Sequence, residues 1–331
     1  MDLTTAYLGL MLKSPLVASA SPLNGEIDNI RRLEDCGAGA IVLPSIFEEQ
    51  IEREEEIFDA LMTTGIDTYG ESLSYFPPHA GYRFDAEDYV GTVARAVEAV
   101  DIPVIASLNG TTDHGWIEFA RRIEEAGASA LELNIYIIPS DISLSGIEIE
   151  QRYLDVVRAV KQSIRIPVAV KIGPYFSAPG HMARRLEEAG ADGLVLFNRF
   201  YGPDIDPTRL ALGSTLELSR RYEMRLPLLW IGVLAGRIET SLAASSGVET
   251  AEDVIRYLLA GADVVMTTSA LLRNGIGHMR VLVRELSEWL DARGLASPDD
   301  IRGIMSHRNV VNPEAYERAN YIRVLQAYSP S

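Results

Sequence analysis

Residues 123–134 read IEEAGASALELN. The stretch closes an amphipathic helix on Gly127, where glycine can adopt the left-handed cap, and then runs through a small residue into an apolar segment of strand character. The same order recurs in LEDCGAGAIVLPS (33–45), LEEAGADGLVLFN (186–198) and LLAGADVVMTTS (258–269), with the caps at Gly37, Gly190 and Gly261. Each copy is one unit of helix, glycine–alanine turn and buried strand.

Three further strands are announced by proline, in KSPLVASA (13–20), DIPVIASLNG (101–110) and RIPVAVKIGP (165–174). Proline at the first position of a strand costs no ladder hydrogen bond, and runs this continuously apolar suit a parallel sheet covered on both faces. A last strand fits TSLAASSGVETAEDV (240–254), where a small-residue strand leads through a Ser-Ser-Gly loop to a helix opened by Thr250 with Asp253 three residues on. Eight strands, each followed by a helical pattern, give an α/β fold of the (β/α)8 TIM barrel type. The glycine–alanine units fall on the second, fourth, sixth and eighth strands. A repeated two-strand module and convergence on one turn chemistry both explain that spacing.

The 331 residues exceed the roughly 100–200 of a common domain, but single barrels reach about 250 or more. The expected layout is a barrel over 1–298, with a lid loop at 65–84 (GIDTYGESLSYFPPHAGYRF) and an insertion at 199–237. A C-terminal helical tail over 299–331, its helix near PEAYERANYIRVLQAY, is expected to pack outside the barrel. Connections this long inside compact domains are usually functional or disordered, and the aromatic content of the first favours an ordered lid.

A hydrophobic fraction of 47% and a charged fraction of 23% are those of a soluble globular chain. The net charge of −17 argues against nucleic acid or an anionic membrane as partner. The run FEEQIEREEEIFD (47–59) reads as a solvated helix face. Cys36 is the single cysteine, so no internal disulfide or cysteine-based cluster can form; no metal is expected, and the usage fits a cytoplasmic protein. No signal peptide is evident at the N-terminus, and no apolar run approaches the ~18 residues that suggest a membrane span.

Reactions on such barrels occur at the C-terminal ends of the strands. The side chains expected there are Ala18, Ser19, Ala20 and Ser21, then Ser45, Ser107 to Asn109, Asn134, Lys171, Asn198, Ser245, Ser246, Gly247, Thr268 and Ser269. Lys171 stands in a buried strand, and an ammonium there needs an anionic or polar partner. Glu132, on the same face as Asn134, is one; an anionic ligand is the other, and the preferred reading. The loops after the seventh and eighth strands of barrels commonly bind phosphate through backbone N–H groups and hydroxyls, which fits Ser245–Gly247 and Thr267–Ser269.

The ordered series PLVASAS (15–21), IVLPS (41–45), ELN followed by a proline (132–139), VKIGPYF (170–176), LFN (196–198), SSGVETAED (245–253) and GADVVMTTSALL (261–272) resembles the dihydroorotate dehydrogenase family over about residues 3–290. The resemblance implies an FMN-binding barrel oxidising dihydroorotate to orotate in pyrimidine biosynthesis. It would set Lys171 at the polar edge of the flavin, Ala18, Ser19 and Ala20 along the ring, and Asn134 near flavin and substrate. Ser45, Asn109 and Asn198 would complete the pocket, and Ser245, Ser246, Gly247, Thr268 and Ser269 the phosphate site.

The departures fall on the substrate side. Pro44 stands where the family has a lysine, Asn134-Ile135-Tyr136-Ile137-Ile138-Pro139 lacks the serine or cysteine base, and Arg199 replaces a small hydroxyl residue. A missing general base removes about 10²- to 10⁴-fold of rate. Tyr136 is the candidate proton donor, against a packing role. Ser140, Ser143, Ser145, His79 and His114 are further candidates with ordinary capping or solvated roles as alternatives.

The sequence therefore predicts an FMN-dependent oxidoreductase passing hydride between a small-molecule substrate and FMN, with an unknown electron acceptor or donor. With no cysteine cluster, this chain is not expected to hold an iron–sulfur centre itself. Two alternatives stand beside it: a non-catalytic or divergent FMN-binding subunit, and a flavin-free Schiff-base lyase or aldolase using Lys171. Pairing among related barrels makes a homodimer the expectation for assembly.

Overall fold

In the computed structural model, which describes residues 1–48, 86–110, 115–200, 202–213 and 217–327, the four repeated turns share one hydrogen-bond pattern. Gly37, Gly127, Gly190 and Gly261 have φ of 95°, 91°, 104° and 119°, the left-handed region that a side chain disfavours. The following alanine donates back across the cap: Ala38 to Leu33, Ala128 to Ile123, Ala191 to Leu186 and Ala262 to Tyr257. The next residue joins the barrel, its N–H reaching the preceding strand at Leu16, Val104, Val168 or Leu242 over 2.7–2.8 Å. Glycine turns the chain, alanine keeps the turn thin, and the third residue starts the ladder.

Eight strands close into a parallel barrel. They are β1 (Leu16–Ala18), β2 (Ala40–Phe47), β3 (Val104–Asn109), β4 (Ala130–Asn134), β5 (Val168–Ile172), β6 (Gly193–Leu196), β7 (Ser241–Ala244) and β8 (Val264–Thr267), with β8 pairing back onto β1. Helices α1 (Ile27–Asp35), α2 (Ala86–Ala99), α3 (Gly115–Glu125), α4 (Gly146–Ser163), α5 (Pro179–Glu188), α6 (Arg225–Leu234) and α7 (Ala251–Ala260) follow β1 to β7 in turn. After β8 come α8 (Ser269–Asn274) and α9 (His278–Asp291). This is the (β/α)8 barrel expected from the sequence.

The expected lid at 65–84, most of the acidic run, His79 and His114 lie outside the described residues. Pro44 sits where the β2–β3 register shifts between Val42 and Ser45, so a proline is accommodated inside a barrel strand by a bulge. At that level the buried Tyr89 hydroxyl accepts from the Ser107 N–H at 2.8 Å and donates to the Ser107 carbonyl at 3.1 Å.

A feature the sequence reading missed closes the bottom of the barrel. Thr5–Tyr7 and Leu10–Leu12 form an antiparallel hairpin, and Tyr7, Leu8 and Leu12 pack against the lumen residues Val17, Val42, Val195 and Met266. A Cβ on Gly193 would lie 2.5 Å from Leu8 Cδ2, so the glycine makes room for the plug. Leu8 takes a positive φ of 54°, held there by burial and by its N–H bond to Ser241 Oγ.

The stretch 199–237 divides in two. A small hairpin (Asp204–Asp206 with Ala211–Gly213) and a 3-10 turn (Arg221–Met224) are inserted after β6, whereas α6 is the sixth helix of the barrel itself. Beyond 298, backbone N–H groups of Gly303 and Met305 reach Leu258 and Leu259, and that of His307 reaches Gly232. A last helix, α10 (Arg318–Gln326), leaves Tyr321, Ile322 and Leu325 exposed. No helix among the described residues is long and apolar enough to cross a membrane.

Candidate active site

Strand alternation brings one polar layer to the C-terminal mouth. Asn109, Asn134 and Lys171 stand in register on β3, β4 and β5. Glu132, one layer lower, is fully buried, and its Oε1 lies 3.4 Å from Lys171 Nζ. The ion pair considered from the sequence is therefore present, and Lys171 also lines the cleft above it. Glu132 Oε2 and the hydroxyl of Tyr7 are both buried without a hydrogen-bond partner. Burial and the nearby Glu132 charge push the Tyr7 phenol well above its ordinary range, so it stays protonated. Asn198 Nδ2 donates to Asn134 Oδ1 at 2.6 Å, fixing both amides.

A cleft enclosing about 750 Å³, open to solvent on one side, lies beside this layer. Ser19, Ala20, Lys171, Asn198, Ser245, Ser246, Gly247, Thr268 and Ser269 line it, together with Phe197 and Met266. At its far end Ser246 and Gly247 both have left-handed φ, 79° and 73°. Turns of this kind gather successive N–H groups into anion-binding concavities. Gly247 is also required by packing, since a Cβ there would fall 2.7 Å from the Met224 nitrogen.

Other hydroxyls at this end are already engaged. Thr268 Oγ1 donates to the Ser19 carbonyl at 2.8 Å, and Ser269 Oγ accepts from both the N–H and the hydroxyl of Ser219. The N-terminus of α7 is not open: Asp253 Oδ2 accepts from the N–H and hydroxyl of Thr250, and its Oδ1 meets Arg221 at 2.7 Å and Arg256 at 3.1 Å. The Ser246–Gly247 turn, rather than that helix end, is therefore the candidate anion corner.

Several candidates stand elsewhere. Ala18 packs in the layer between barrel and helices, and Ser45 hydrogen-bonds Ser107 at 2.7 Å on the β2–β3 side, where Asn109 also sits. None of the three lines the cleft, and neither does Asn134 directly. Tyr136 borders a separate apolar pocket. Ser143 is tied to Asp141, Ser145 is consumed by a capping box with Glu148, and Ser140 is exposed. Arg199 does line the cleft, and its Nε pairs with Glu223 at 3.0 Å.

Sequence reasoning missed Asn24. It is fully buried under the end of β1, and its Nδ2 donates to the carbonyls of Ser19 at 2.9 Å and Val42 at 2.7 Å. It thus holds the Ser19–Ala20 wall of the cleft against β2. Its only sequence signal is an amide placed in a Pro-Leu-Asn-Gly turn just beyond a barrel strand.

A family model described as dihydroorotate dehydrogenase matches residues 78–290. A protein of Aeropyrum pernix, provisionally named dihydroorotate dehydrogenase A (fumarate), is 30% identical over 325 residues, covering 93% of this chain and 98% of the relative. The catalytic subunit of dihydroorotate dehydrogenase B (NAD(+)) from Shouchella clausii is 30% identical over 210 residues, covering 61% of this chain and 68% of the relative. The NAD-dependent dihydropyrimidine dehydrogenase subunit PreA of Escherichia coli K12 is 24% identical over 338 aligned positions, 96% of this chain and 80% of the relative. With a parallel barrel, a polar mouth and matches that run through both halves of the molecule, the chain belongs to the dihydroorotate dehydrogenase family of oxidoreductases.

Proposed function

We propose that the chain binds FMN along the cleft and catalyses hydride transfer between that flavin and a small substrate. The observation that carries this reading is the pairing, in one cleft, of a cation at the end of β5 with a doubly left-handed Ser246–Gly247 turn at the other end. The donor set fits the group: backbone N–H groups and hydroxyls suit a phosphate, and Lys171 suits the polar edge of an isoalloxazine. Bound FMN supplies the two-electron chemistry.

The protein's own part is positioning. Lys171 offers positive charge where a reduced flavin is anionic, and Glu132 holds that ammonium in place. Asn134 and Asn198, locked to each other, present amide groups over the mouth. Asn24 keeps the Ser19–Ala20 wall fixed, and Ser219 closes over Ser269 at the phosphate end. The segment Asn134–Pro139 contains no serine or cysteine, so a base of that kind is absent from it. The relatives named for dihydroorotate and dihydropyrimidine support a small cyclic compound as the substrate. Those named as subunits support a separate electron-carrying partner for this chain. The Schiff-base reading of Lys171 is disfavoured by its commitment to Glu132, because attack on a carbonyl needs a free amine.

The test is the visible spectrum of freshly purified protein. About one FMN per chain, lowered several-fold in Lys171→Ala and Gly247→Ala, supports the reading. Colourless protein that takes up no FMN, and that is trapped on a carbonyl compound by borohydride, sinks it.

A further inference from the structure

On the β4–β5–β6 side of the mouth, next to the cleft, lies a second concavity of about 660 Å³. It is built from the residues that immediately follow the polar layer. Ile135 comes after Asn134, Gly173 stands two residues beyond Lys171, and Phe200 two beyond Asn198. The segments that follow Lys171 and Asn198, which line the first cleft, therefore help to line the second.

Its chemistry is the opposite of the cleft's. None of the described residues lining it is charged. Two edge-on aromatic pairs line it: Tyr153 with Phe176 at 5.3 Å between centroids and 75°, and Tyr175 with Phe200 at 5.8 Å and 75°. The first pair packs against the core, but Tyr175 and Phe200 are 71% and 57% exposed, and Ile138 on the rim is 53% exposed. Large apolar side chains gathered around a concave site mark a place for an apolar ligand. Ring faces held edge-on to one another leave faces and edges for a third ring.

An anion is excluded from this pocket by the same observations. A carboxylate or phosphate here would lose its hydration without gaining a cation. Of the cations nearest it among the described residues, Lys171 pairs with Glu132, Arg199 pairs with Glu223, and Arg225 lines the adjoining groove on the other side of Tyr175 and Phe200 rather than this pocket.

We propose that this pocket is a binding site for a neutral, predominantly apolar ring compound, seated between Ile138 and the Tyr175–Phe200 pair. The binding itself stands apart from the flavin reading; that the bound ring is the substrate of the redox site rests on it.

The test is calorimetric titration of the purified protein with 2-naphthol, a neutral planar ring compound, and separately with orotate, an anionic one. Tyr175→Ala and Phe200→Ala serve as variants because both side chains are exposed and their loss leaves the core intact. Binding of 2-naphthol that weakens roughly tenfold in Phe200→Ala, with no orotate binding at this site, supports the proposal. FMN content, read from flavin absorbance in the same samples, should not change between wild type and variants. Absence of 2-naphthol binding, binding unchanged in both variants, or orotate binding that depends on Tyr175 or Phe200 would overturn it. Colourless protein that still binds 2-naphthol in a Phe200-dependent manner would overturn the flavin reading alone.

Discussion

Replacing Lys171 by methionine isolates the largest electrostatic commitment in the site. Its Nζ lies 3.4 Å from a carboxylate with no solvent exposure. At an effective dielectric near 20 the attraction at that distance is about 5 kcal/mol, and desolvation of both groups opposes it. Breaking such a pair from one side characteristically costs ~3–5 kcal/mol, because the remaining charge has no partner. Lys171→Met strands Glu132, whose Oε2 already lacks a partner, and should fall in that range at neutral pH. Glu132→Gln strands an ammonium that still borders the cleft, and should cost less. The double variant removes both charges and should recover most of the loss, giving a coupling of roughly 2–4 kcal/mol. Urea unfolding followed by circular dichroism on the four proteins measures all of this. A Lys171→Met cost under about 1 kcal/mol, or additive single and double variants, would refute the claim that the pair is a buried, mutually dependent unit.

Gly247→Ala forces a side chain onto a φ of 73° and into the Met224 backbone. It should cost ~1–3 kcal/mol in thermal or urea unfolding and lower FMN content at the same time. Asp253→Ala removes the cap of α7 and leaves Arg221 and Arg256 without their shared carboxylate. A loss of roughly 1–2 kcal/mol follows, and an unchanged melting temperature would count against the capping role. Asp263 titrates above the ordinary carboxylate range, chiefly because it is buried, although the Leu242 N–H and Arg302 oppose the shift. A raised folded-state value makes its stability contribution greatest below the unfolded pKa and lost as pH rises through the folded one. Stability of Asp263→Asn measured from about pH 4 upward should lack that decline; identical slopes for variant and wild type would exclude the assignment.

The barrel was legible because its information is local. Each glycine–alanine turn carries its cap, its thin corner and its ladder start within six residues, and the prolines mark strand starts in the same way. What stayed hidden is held by distant contacts. Tyr7-Leu8-Gly9-Leu10 does not resemble a hairpin turn, and Leu8 adopts its left-handed φ because Gly193, far along the chain, leaves space for it. The helix RLPLLWIGVL is apolar on nearly every side, so no period separates it from the insertion before it. Lys171 and Glu132 were legible as a pair through strand alternation, whereas the Arg199–Glu223 and Ser219–Ser269 contacts join segments with no common pattern. The apolar pocket was half visible: the run Ile135–Ile138 was evident, but most of its aromatic lining comes from the loops after β5 and β6 and from α4.

On the proposed reading, the distribution of charge at the mouth suits a phosphate-bearing cofactor better than an anionic substrate. A phosphate can be bound by backbone N–H groups and hydroxyls, and the Ser246–Gly247 turn supplies those without any free cation. An anionic substrate needs a positive group of its own. Position 44 is proline, Lys171 faces Glu132, and Arg199 faces Glu223, so the two cations that line the cleft among the described residues already have anions. The surrounding chain carries a net charge of −17, which adds repulsion at longer range. A neutral substrate pays neither cost, and the uncharged aromatic pocket beside the cleft gives its ring a place to bind. On this proposal the segment Asn134–Pro139, which contains no serine or cysteine, also builds one wall of that pocket, so the absence of such a base and the preference for a neutral ring trace to the same few residues.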